Sequence, residues 1–190
     1  MNILVDELPT AVEIDGQEYE LNTDFRTALT VIMAFEDNGL AMVEKQSIMI
    51  ELLYKEKPTN LAAAAEMGVM FLDGGQEKEI EESVSSPRVF SFSKDASLIF
   101  AAFKQTHGID LQTAQLHWWK FLALFMDLGQ DTTFCQLTAL RKRVKTGKAT
   151  KEEIRVAQEM GQLFELPDVE DLTLEERDNG DGFMKLLGEG

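Results

Sequence analysis

A single cysteine, Cys135, stands in the 190-residue sequence, so no intramolecular disulfide is available and the fold must rest on its core. A lone thiol on the inner side of a predicted helix, with no basic partner nearby, reads as inert and fits a reducing compartment. Histidine is scarce as well. His107 and His117 lie on separate predicted helices, with no cysteine or second histidine at ligand spacing, which argues against a transition-metal site. Cations are outnumbered, 18 Lys and Arg against 34 Asp and Glu, for a net charge of −16. Such a charge repels nucleic-acid phosphates and anionic membranes, so neither is expected as a partner. No apolar run reaches the roughly 18 uncharged residues that span a bilayer, because Lys120 and Asp127 interrupt the best candidate. The start, MNILVDELP, has no positive region and carries early acids, so a secretory signal is not expected there.

Catalytic constellations are missing too. Carboxylates are plentiful, but no pair stands out for acid/base work. Gly74-Gly75 is followed by no GK[ST] and so makes no phosphate loop. The stretch Asp178 to Gly182, DNGDG, lacks the ligand spacing and the bidentate Glu of a calcium loop. The reading is a non-enzyme with no catalytic, metal-binding or cofactor-binding residue and no cofactor.

What is present is an ordinary globular composition, 44% hydrophobic and 27% charged, enough for a core without staples. Val12 and Ile14, then Tyr19 and Leu21, alternate with polar residues about Asp15-Gly16, which predicts a β-hairpin with a type I′ turn. Ile3 to Val5 is a candidate third strand. From Asn22 the period becomes helical. Asn22, Thr23 or Asp24 caps a helix carrying Phe25, Leu29, Ile32 and Met33, and Asn38-Gly39 stops it. Glu44 to Lys55 follows, with Ile48, Leu52 and Leu53 inward, ended before Pro58. Thr59 or Asn60 caps LAAAAEMGVMFL, whose alanines and Gly68 suit close helix packing before Gly74-Gly75.

Gln76 to Pro87, QEKEIEESVSSP, offers only Ile80 and Val84 to a core and reads as part of a mobile connector of about residues 76–88. Val89 to Phe92 is a candidate strand. Asp95 caps a helix ending at Gly108, Asp131 or Thr132 caps another with Phe134, Leu137 and Leu140 inward, and Thr150 to Glu153 forms a capping box for a last helix, Lys151 to Phe164. Pro167 ends it, and 167–190 reads as an acidic, disordered tail. The expected fold is mainly α, a multi-helix globular domain over 1–166 with a short N-terminal β-hairpin within about 1–21.

The richest stretch is LHWWKFLALFMDLGQDTTFCQLTALR, Leu116 to Arg141. On one helix from Thr113 to Leu128, the polar residues Thr113, His117, Lys120 and Asp127 fall in a stripe about 80° wide, and nearly everything else is apolar. Such a helix must be covered on most sides, either as a core helix or by a neighbouring subunit. Trp118 and Trp119 point about 100° apart, which suits one to a core and the other to an interface or shallow groove. The candidate partner or oligomer surface is therefore Trp118, Trp119, Phe121, Leu122 and Phe125, joined by Arg141, Lys142 and Arg143. That last trio opens a basic cluster running through Lys145, Lys148 and Lys151. It lacks the interleaved aromatics of a base-stacking groove and is better suited to facing acid, in the tail or on another subunit.

The HWWKF…F…L…DT.F..L..LR pattern, with ASLIFAAFKQTHGIDL (Ala96–Leu111), NTDFRTAL (Asn22–Leu29) and the Gly74-Gly75 pair, resembles the "gene product fifteen" family of tailed-phage and prophage proteins over roughly Asn2 to Leu166. The resemblance implies a gene placed just upstream of the tape measure gene, the position of tail assembly chaperones. It implies a protein acting in the host bacterial cytoplasm during phage assembly and absent from the finished virion. The implied partners are the tape measure protein and, behind it, the major tail tube protein, with a homo-oligomer as the working form. The alternative is a structural tail or tail-completion component retained in the virion.

Overall fold

The computed structural model describes residues 2–75 and 87–166. Most of the predicted connector, the Pro167 stop, the acidic tail and the DNGDG stretch lie outside the described residues. Among those described, a two-stranded antiparallel hairpin, β1 (Ala11–Ile14) and β2 (Gln17–Glu20), precedes seven helices. These are α1 (Phe25–Phe35), α2 (Met42–Leu53), α3 (Leu61–Leu72), α4 (Ala96–His107), α5 (Trp118–Met126), α6 (Thr133–Lys145) and α7 (Lys151–Met160). The mainly helical class and the hairpin are as predicted.

Local chemistry sets most boundaries. Asp15 and Gly16 both take positive φ, 51° and 80°, as the type I′ turn requires, and Ile14 pairs with Gln17. Asp24, Asn60, Thr132 and Thr150 each accept a backbone N–H in the first turn of their helices. Thr150 and Glu153 form the full reciprocal box, Thr150 N–H donating to Glu153 Oε2 at 2.8 Å and Glu153 N–H to Thr150 Oγ1 at 3.2 Å.

Four expectations need correction. Ile3 to Val5 is a turn rather than a strand, because Asn2 and Asp6 close it on itself: Leu4 N–H donates to Asn2 Oδ1 and Asn2 N–H to Asp6 Oδ2. Val89 to Phe92 is not a strand, since side chains rather than a neighbouring strand claim its polar groups. On α2 the inward residues are Met49, Ile50 and Leu53, with Ile48 and Leu52 half-buried; Lys45 also points inward and donates to the Phe35 carbonyl at 3.0 Å. Finally α7 stops at Met160, because Gly161 adopts φ 52°, ψ −125° and starts a 3₁₀ turn, Gly161–Leu163.

The core forms where α1, α5 and α4 meet, and Phe121 lies at its centre. Its ring stacks on Phe25 at 5.0 Å, on Phe103 at 4.9 Å and on Trp118 at 5.5 Å between centroids. Phe90, Phe92, Phe125 and Phe134 continue the cluster toward α6. On the other side α3 closes on α2 at Gly68, where an added Cβ would meet Met49 Sδ at 3.2 Å, so the small residue permits the approach.

Candidate interaction surface

The Trp helix is shorter than predicted. It begins at Trp118, not Thr113, because His117 is its cap: Nδ1 accepts the Trp119 N–H at 3.1 Å, and Nε2 bonds the Pro9 carbonyl at 2.9 Å. Nδ1 is thus the acceptor and Nε2–H the donor, the neutral imidazole. Burial holds His117 below the ordinary imidazole range, and Lys120 adds to this against the opposing Pro9 bond. The polar stripe drawn through Thr113 therefore does not exist, since 111–113 form a separate turn.

The cap residues of α1 and α5, Asp24 and His117, sit opposite each other in an isolated antiparallel bridge. Phe25 N–H donates to the Leu116 carbonyl at 3.0 Å, and Trp118 N–H to the Thr23 carbonyl at 2.7 Å. Arg26 reinforces the junction by donating to the carbonyls of Leu111 and Ala114 at 2.7 and 2.9 Å.

Trp118 is wholly buried, with its indole N–H on the Leu72 carbonyl at 2.9 Å. Phe121, Leu122 and Phe125 are buried as well. These four side chains are used inside the chain and present no surface of their own. Trp119 is half-buried; its indole N–H donates to the Phe71 carbonyl at 2.7 Å. Its ring covers Gly75, where a Cβ would stand 2.6 Å from Trp119 Cη2 and where φ is +74°. The second glycine of the pair is thus required by both its backbone and the indole above it.

Arg141, placed by sequence in a basic cluster facing the acidic tail or another subunit, is fully buried. Nη1 and Nη2 grip Asp95 at 2.7 and 3.1 Å, Nε donates to the Phe164 carbonyl at 2.8 Å, and the remaining N–H groups reach the carbonyls of Val89 and Leu163 at 3.1 and 2.7 Å. Every guanidinium donor is satisfied. Asp95 holds the N-cap position of α4 without capping it; its carboxylate serves Arg141 and the Ser91 N–H instead. Half-buried Glu36, just past the end of α1, accepts from the Ser91 hydroxyl at 2.7 Å and pairs with Arg88 at 3.0 Å. Two carboxylates, Glu36 at the end of α1 and Asp95 at the start of α4, therefore hold the 88–95 segment, a role that the sequence reading had given to neither.

The rest of the basic cluster is at the surface. Arg143 pairs with Glu153 across α6 and α7 at 2.8 Å, and Arg155 pairs with Glu152. Thr150 donating to Glu153 is the largest cause holding that carboxyl below the usual range. Between these helices lies an open cleft of about 410 Å³ with Cys135, Ala139, Leu140 and Val156 in its wall. Cys135 is half-buried, its thiol near the Leu128 carbonyl at 3.5 Å. Among the described residues no group of His, Cys, Asp and Glu is gathered to hold a metal ion, and no helix is long and apolar enough to cross a membrane.

The family described as Bacteriophage Gp15 protein matches residues 4–166 of the chain. No curated protein and no solved structure matches it.

Proposed function

The chain belongs to the bacteriophage Gp15 family, and on that premise we propose that it is a tail assembly chaperone, a non-enzymatic protein that coats the tape measure protein until tail-tube subunits replace it. The family points to phage structure or morphogenesis, and the match across 4–166 carries the reading. Surface chemistry supports the finer role. A long apolar helical client needs adaptable apolar contacts, and Met33, Met70 and Met126 are exposed, as are Val43 and Leu61. The net charge of −16 keeps a coated rod soluble by repulsion between complexes. The setting is the host cytoplasm, with the tail tube protein as the competitor that ends the interaction.

Co-expression with the tape measure protein tests this directly. The expected result is a co-purifying complex and a soluble tape measure protein; no complex and no rescue refute it. Mass spectrometry of purified particles separates the chaperone from the alternative, a tail component retained in the virion, because only the latter persists there.

A further inference from the structure

We infer that the basic tip of the α6–α7 hairpin is a docking surface for the chain's own acidic run, Asp168 to Asp178. This docking is independent of the proposed function and involves no tape measure protein.

The tip is an island of positive charge. Six of the chain's 18 Lys and Arg fall between Arg141 and Lys151, with no acidic residue among them, in a molecule of net charge −16. Three are engaged: Arg141 with Asp95 in the core, Arg143 with Glu153, and Lys145 with the Arg88 carbonyl at 2.8 Å. Lys142, Lys148 and Lys151 meet no carboxylate among the described residues, and Lys148 and Lys151 are exposed. The Lys148 N–H donates back to the Arg143 carbonyl at 2.8 Å, which keeps Lys148 beside the last turn of α6. Cations in that last turn suit the dipole of α6, but Lys148 and Lys151 stand at the positive end of α7. The acids of its first turn, Glu152 and Glu153, are already paired with Arg155 and Arg143. Local helix chemistry therefore leaves three lysines without an anion.

The course of the chain selects the occupant. Arg141 donates to the carbonyls of Leu163 and Phe164 at 2.7 and 2.8 Å, which anchors the end of the 3₁₀ turn on α6 where the basic tip begins. Lys142 is the next residue, and Lys145 is one turn further, about 6 Å along the helix axis. Asp168 follows Phe164 by four residues, a reach of up to about 14 Å. From Asp168 to Asp178 the chain carries six acids and one base, Arg177. It thus passes from the anchor at Arg141 into its acidic run within reach of the lysines. An exposed ion pair shifts an equilibrium by only about 1.4- to 5-fold, too little to hold a separate acidic molecule. A partner attached this closely acts at an effective concentration of about millimolar, so a few such pairs are enough. Attachment therefore favours the chain's own run over the same run of another copy.

Zero-length carbodiimide crosslinking of the full chain tests this, since it joins a lysine amine only to a carboxylate already in contact. A mixture of unlabelled and heavy-nitrogen copies, digested and read by mass spectrometry, tells links within a copy from links between copies. The expected links join Lys142, Lys148 or Lys151 to Asp168, Glu170 or Asp171, with mixed-isotope pairs absent. Their yield should fall about threefold or more in about 1 M salt, where the screening length is about 3 Å. Lys148→Glu with Lys151→Glu should lower the links to Lys142 by a similar factor. Adding Asp168→Lys with Glu170→Lys should restore contact, the new amines now linking to the new carboxylates. No links at these lysines, or mixed-isotope pairs at the random proportion, which mark another copy as the occupant, would overturn the inference. So would a yield indifferent to salt and to the double substitution, which shows closeness without attraction, or a charge-swapped chain that forms no links.

Discussion

Replacing Arg141 by Met should damage this fold more than any other change in the basic cluster. The side chain is fully buried and its partner Asp95 nearly so. Arg141 makes five hydrogen bonds, two to the carboxylate and three to the carbonyls of Val89, Leu163 and Phe164. Met fills the volume but orphans all three carbonyls and leaves Asp95 charged in the core with only the Ser91 N–H. Breaking a buried pair from one side costs about 3–5 kcal/mol. In a domain of 150–250 residues each kcal/mol moves the melting temperature by about 2–4 °C, so the drop should be about 6–20 °C. Lys142→Met, one residue along and outside this network, should change stability by no more than about 0.5 kcal/mol. Removing both charges, Arg141→Met with Asp95→Leu, should recover part of the loss, because no unpaired ion remains. Thermal and urea denaturation followed by far-UV circular dichroism measure all four proteins. Arg141→Met melting alongside Lys142→Met would refute the reasoning and return Arg141 to the surface.

The two tryptophans should separate in the same assay. Trp118→Ala empties a fully buried site and should cost about 3–5 kcal/mol, whereas half-buried Trp119→Ala should cost about 1–3 kcal/mol; equal losses would contradict the placement. A pH dependence should trace to His117, whose folded-state value lies below the ordinary one. The unfolded imidazole takes up its proton near about pH 6.5, before the folded one does. Stability from the neutral ring is therefore complete above that pH and declines as the pH falls below it, until the folded form protonates too. His117→Asn keeps a capping oxygen and cannot titrate, so the melting temperature should fall less between about pH 7 and about pH 5.5 than in the wild type. An unchanged slope counts against this account.

Sequence made the hairpin and most helix starts legible because they depend on near neighbours. Asp15-Gly16, Asp24, Asn60, Thr132 and Thr150 act on backbone within a few residues. His117 escaped because histidine is outside the usual cap residues and the apolar periodicity ran smoothly past it. Between the two readings of the Trp helix, core or interface, periodicity could not choose, because it shows that a face is covered but not by what; Trp118, Phe121, Leu122 and Phe125 are buried within the chain, against α1, α3 and α4. Arg141 was misread because a cation in a run of cations looks solvated. One signal was present: Phe134, Leu137 and Arg141 share one helical stripe, and all three are buried. Its partner lies 46 residues away, beyond any local pattern.

The paired starts of α1 and α5 have a consequence for hydrogen exchange. Amides in the first turn of a helix have no acceptor within it and ordinarily exchange with solvent by fraying. Phe25 and Trp118 are first-turn residues, yet each amide is bonded to a carbonyl on the other segment. Neither can open by unwinding its own helix; the early and late parts of the chain must part first. These two amides should therefore exchange with the slowest class, so that two helix ends, normally the quickest reporters of local motion, act as gauges of global unfolding.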